Sequence, residues 1–170
     1  MKRDFLLSQA WASTIRASFG RIKIYKEGVK AKEKLVFKEQ LYIYVHSLVD
    51  AQYKLREVNE VKHIQNIKAL IYYSSSRFSE LLSNKMLCFG VGQKLLNLYL
   101  KYLWCLEYIP TPPHFPVDRI IQNKLGINPP FNWTTMTDKR DYLIIISRAR
   151  ELMKKKDFKS LADLELSLYE

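Results

Sequence analysis

All six prolines of this chain fall between positions 110 and 130. Proline lacks a backbone donor and its ring clashes with the preceding turn, so it breaks any helix it enters. Residues 1–109 carry none and can run as a stack of helices joined by short turns. Hydrophobic spacing supports this. Phe5, Leu6, Ala10, Trp11, Ile15 and Phe19 share one helical face within Asp4–Phe19, and Gly20 can close that helix. A second helix is expected from Ala31 to about Leu55. The β-formers Leu41 to Val45 could be a strand, but no turn chemistry interrupts the segment. A third is expected over Val58–Tyr73, with Ser74-Ser75-Ser76 ending it and a serine capping a short helix at Phe78–Leu82.

The stretch 86–126 organises the rest. Phe89-Gly90-Val91-Gly92-Gln93-Lys94 is expected to form a tight turn, with both glycines permitting positive φ and close backbone approach. The amides of Gly90, Val91, Gly92 and Gln93 would then face outward at the positive end of the following helix, where a phosphate is stabilised. That helix, Val91 to about Tyr108, is apolar around nearly its whole circumference and should be central. Its polar exceptions, Lys94, Asn97 and Lys101, form a stripe expected to look into a cleft. The proline-rich connection then leads to Asp118, well placed to cap a helix that Gly126 ends. A second core helix is expected over about Thr137–Lys155, and a final amphipathic one over Ser160–Tyr169. The expectation is a single all-α domain over residues 1–170, without repeats.

The net charge of +11 favours a polyanionic partner, most often nucleic acid. The basic segment Arg16–Lys38 reads either as a solvated connection around Gly28 or as a phosphate-contacting arm. Two cysteines, Cys88 and Cys105, make neither a disulfide framework nor a metal motif, and His46 and His63 stand without ligand spacing. No metal site is expected. The longest apolar run is too short and too polar to span a membrane, and no signal peptide is visible. A cytoplasmic protein is expected.

Phe89-Gly90-Val91-Gly92-Gln93-Lys94, the long apolar helix, then Val117-Asp118 and a short helix ending Lys124-Leu125-Gly126 resemble the helix-hairpin-helix DNA glycosylase superfamily. That group includes endonuclease III and the 8-oxoguanine glycosylases. The resemblance covers residues 86–126 only. It implies a hairpin at Gly90-Val91-Gly92 that grips DNA, a nucleophilic Lys94 and an essential Asp118. Leu96 stands where the family has a small residue. The connection before Asp118 is longer than in endonuclease III, as in some archaeal members. The four-cysteine iron–sulfur motif is absent, so no cofactor is expected.

The implied chemistry is base excision from an extruded nucleotide. Lys94 would attack the sugar carbon and form a Schiff base. A free lysine amine titrates near about 10.4, so burial would have to lower it. Asp118 would stabilise the positive charge developing on the sugar. Asn97, Lys101, His114, Phe115, Phe131 and Trp133 are candidates for the pocket. Two other classes fit the same composition: a non-catalytic helical DNA-binding protein, and a protein-interaction module whose tyrosines serve a partner.

Overall fold

The computed structural model describes residues 1–169. The described residues form seven α-helices: α1 (Lys2–Phe19), α2 (Ala31–Gln52), α3 (Glu60–Phe78), α4 (Phe89–Cys105), α5 (Arg119–Lys124), α6 (Lys139–Lys155) and α7 (Leu161–Ser167). A short 3-10 turn at Trp133–Thr135 precedes α6. Among the described residues there is no strand, only an isolated bridge between Tyr25 and Leu82.

The Leu41–Val45 ambiguity resolves as helix. Phe37, Leu41, Val45 and Val49 are the buried positions of α2, four residues apart along one face. Helix α3 does not stop at the serines. It runs through them to Phe78, and the short helix expected at Phe78–Leu82 is absent. Serine is tolerated there because its hydroxyl can bond back to its own helix. Ser74 donates to the Ile71 carbonyl and Ser76 to that of Tyr73.

Helix α4 is the centre, packed chiefly against α1 and α3. Leu95, Leu96, Tyr99, Leu100 and Leu103 are fully enclosed, and Trp11 of α1 meets Tyr99 edge-on at 5.3 Å. Each enclosed leucine contributes roughly 1.5–3 kcal/mol of burial. The buried side chains form one continuous cluster from Leu7 to Leu164.

The glycine turn is a correction. Gly90 and Gly92 lie inside the first turn of α4, and the positive-φ glycines are Gly28 and Gly126 instead. What requires glycine here is close approach. A Cβ on Gly90 would meet the Trp133 carbonyl, and one on Gly92 would meet Ile71 of α3. The helix stops at Cys105 rather than Tyr108, and Glu107 turns the chain at φ 55.

The basic segment after α1 is tied down rather than free. Lys26 N–H donates to the Leu81 carbonyl at 2.9 Å, Ser83 N–H to Ile24 at 2.9 Å, and the Ser83 hydroxyl to Lys23. The proline-rich connection buries Phe115 and Val117, and so delivers Asp118 beside α4.

Candidate functional site

Lys94 and Asp118, 24 positions apart, meet: Lys94 Nζ stands 3.1 Å from Asp118 Oδ2. Both side chains are mostly enclosed, 8% and 15% exposed. The ammonium also sits 4.3 Å from the centre of the Trp133 ring, over its face, a favourable placement for a desolvated cation. Asp118 does a second job. Its Oδ1 caps α5, accepting from Ile120 N–H at 2.9 Å and Ile121 N–H at 3.1 Å. The cap fixes one oxygen and leaves the other for Lys94.

The pair opens onto a cleft of about 550 Å³. Arg16 and Arg21 at the C-terminal end of α1 line it, with Lys101 on α4 and Glu165 and Tyr169 at the C-terminus. Lys101 and Lys94 are seven residues apart, two helical turns, so they share a face. Lys101 Nζ lies 2.7 Å from Glu165 Oε2 and 4.4 Å from the centre of the Tyr169 ring. Glu165 is 1% exposed and its Oε1 has no partner. Burial pushes its carboxyl above the ordinary range, against the pull of Lys101. Neither Glu165 nor Tyr169 was singled out from the sequence. The only signal was their i, i+4 spacing on a terminal amphipathic segment.

The remaining expected site residues divide. Lys101 lines the cleft, and Trp133 supports Lys94 from beneath without lining it. Asn97, His114 and Phe115 do not reach the cleft. All three are buried in the core behind it. Asn97 lies about 60° around the helix from Lys94. It points inward, donating to Tyr142 Oη at 2.9 Å and to Gln93 Oε1 at 3.2 Å. His114 bonds Tyr142 through Nδ1 and Glu60 through Nε2. Phe131 is half-buried against the core.

Gly90, Val91, Gly92 and Gln93 are buried as well. The Gly90 amide donates to the Met136 carbonyl at 3.2 Å and that of Gly92 to Cys88 at 3.0 Å. The Trp133–Met136 segment covers the start of α4, so these amides do not present themselves to a phosphate.

Among the described residues no group of three His, Cys, Asp or Glu side chains is placed to hold a metal ion, and no helix is long and apolar enough to cross a membrane. Comparisons with protein-family models, with curated proteins and with solved structures found no match.

Proposed function

We propose that the protein acts on DNA as a base-excising glycosylase with abasic-site lyase chemistry, using Lys94 as nucleophile and Asp118 as its partner. One observation carries this reading: an amine and a carboxylate from distant segments, 3.1 Å apart at the wall of an open cleft. The likeness of residues 86–126 to helix-hairpin-helix glycosylases supports it, as does the net charge of +11.

The steps balance with the chain's own groups. The Lys94 ammonium gives a proton to Asp118, the nearest acceptor, and the freed amine attacks C1′ of the extruded nucleotide. The C1′–base bond breaks and the base leaves with its bonding pair, taking up the proton that Asp118 holds. As the ring opens, Nζ passes a proton to O4′ and forms a Schiff base with C1′, and transfer of a C2′ proton to the Asp118 carboxylate expels the 3′ phosphate. The extruded base would enter the cleft beside Tyr169, whose ring offers a stacking face. The Lys101 ammonium offers a donor to its edge. Arg16 and Arg21 at the rim would contact phosphates. DNA would thus be held by cationic side chains rather than by the α4 amides. Both cysteines are free thiols, which suits a cytoplasmic setting.

The test is reduction with borohydride in the presence of a duplex carrying one abasic site. Wild type should form a covalent complex and Lys94→Ala should not. Salt-sensitive binding without a covalent complex would replace this reading with non-catalytic DNA binding.

A further inference from the structure

Gln93 sits beside Lys94 in sequence but about 100° around the helix from it, fully buried. Its side-chain amide clasps the backbone of Val117, the residue before Asp118, at two points. Nε2 donates to the Val117 carbonyl at 2.7 Å, and Oε1 accepts the Val117 N–H at 3.1 Å. Nε2 also donates to the Gly90 carbonyl at 2.9 Å, and Oε1 accepts from Asn97. Both donors are used and Oε1 takes two bonds. Among uncharged side chains, only a carboxamide of this length offers a donor and an acceptor side by side to the N–H and C=O of one residue.

The orientation of that amide is set from far away, and its polarity can be followed link by link. Glu60 carboxylate only accepts, so His114 Nε2 carries the proton between them, 3.0 Å apart. His114 Nδ1 is then an acceptor and takes the Tyr142 hydroxyl proton at 2.8 Å. The Tyr142 oxygen accepts from Asn97 Nδ2, whose second proton goes to Gln93 Oε1. No link needs a donor to face a donor. The His114 imidazole, pushed down to about 3 by burial and by Arg150, stays in the neutral form the chain requires.

A second glutamine repeats the device on the other side. Gln122, also fully buried, accepts from Phe131 N–H at 2.7 Å and donates to the Phe131 carbonyl at 3.0 Å, while Nε2 also donates to the Asp118 carbonyl at 3.1 Å. The peptide before Asp118 is therefore held by Gln93, and its own carbonyl by Gln122.

We propose that Gln93 is a positioning residue for Asp118: its two-point clasp on Val117 holds the carboxylate at bonding distance from Lys94. The proposal rests on the glycosylase–lyase reading. Its consequence follows from how steeply reaction rates depend on alignment, since a displacement of about 1 Å can cost about 100-fold.

The experiment is single-turnover cleavage and borohydride trapping of a duplex with one abasic site, with duplex affinity measured separately. Gln93→Leu should react at least about 10-fold more slowly than wild type, with affinity unchanged. On an Asp118→Asn background the same substitution should slow the reaction no further, because the group it positions is already lost. Gln93→Glu tests the clasp by pH. Its ionised carboxylate lacks the donor, and protonation restores one, so its rate relative to wild type should recover as the pH is lowered. Equal slowing by Gln93→Leu in both backgrounds overturns the proposal. If Gln93→Leu does not fold, a pH-independent ratio for Gln93→Glu overturns it alone. A wild-type protein that traps no DNA removes the underlying reading and this proposal with it, an outcome visible before any variant is compared.

Discussion

Gly90 and Trp133 pack backbone to backbone: a Cβ built on Gly90 would lie 1.7 Å from the Trp133 carbonyl oxygen. Neither partner can yield, because one is the first turn of α4 and the other is the turn that carries the ring beneath Lys94. Gly90→Ala should therefore cost about 3 kcal/mol or more. Gly92 is the internal control. There an added Cβ meets Ile71 Cγ1 at 2.7 Å, part of a side chain that can shift, and alanine regains about 1 kcal/mol of helix propensity. Gly92→Ala should be much the milder change in urea unfolding. Equal costs would show that the Gly90 contact is not what requires glycine.

His63 and His114 should make the protein acid-sensitive well above the carboxylate range. Both imidazoles are pushed down to about 3, first by desolvation. Unfolded histidine titrates near about 6.5, so between the two values the unfolded chain binds protons the folded one refuses. Stability is then complete above about pH 6.5 and falls as the pH drops towards 3, by roughly 1.4 kcal/mol per pH unit for each histidine. Thermal midpoints that stay level from neutral pH to about 5 would contradict the buried neutral pair.

The proline distribution made the all-α architecture legible, because a proline-free tract with helical spacing leaves few alternatives. The approach of Lys94 to Asp118 was also readable, through a likeness confined to residues 86–126. Sequence could not separate two meanings of a polar residue on an apolar helix. Lys94 and Lys101 face a cleft, whereas Gln93 and Asn97 serve a buried chain, and all four look alike as breaks in a hydrophobic pattern. Gly90-Val91-Gly92 was misread as a positive-φ turn because glycine serves conformation and close approach equally well. Only the tertiary neighbour Trp133 distinguishes them. Glu165 and Tyr169 reach the cleft through the packing of α7, and their i, i+4 spacing is the only local mark they carry.

Lys101 holds a buried charge in balance. Glu165 is 1% exposed and its nearest cation is Lys101 at 2.7 Å. Lys101→Met would keep the stem packed and strand the carboxylate, at a cost of about 3 kcal/mol near neutral pH. The sign with pH is fixed. The Glu165 carboxyl is already raised by burial and would rise further, so the folded variant holds a proton that the unfolded chain releases above about 4.3. The deficit should therefore grow as pH rises through the carboxyl range and vanish in acid. A deficit of the same size at every pH would mean that packing, not charge, had been lost.

Asp118 divides its two oxygens between a helix cap and an ion pair, and substitutions can separate the two. Asp118→Asn keeps an oxygen for Ile120 and Ile121, since asparagine caps about as well as aspartate, but turns an amide or nothing charged toward Lys94. Asp118→Ala loses the cap as well, a further cost of about 1 kcal/mol. In both, the Lys94 ammonium stays enclosed without its counter-charge, though the Trp133 ring offsets part of that with about 2 kcal/mol. Removing the charge too, in Lys94→Met with Asp118→Asn, should recover most of the loss, because a buried pair replaced together is often neutral while a broken one is costly. A double-mutant cycle in urea measures this directly. A coupling energy below about 0.5 kcal/mol would show that the two groups, though 3.1 Å apart, are each solvated as if alone.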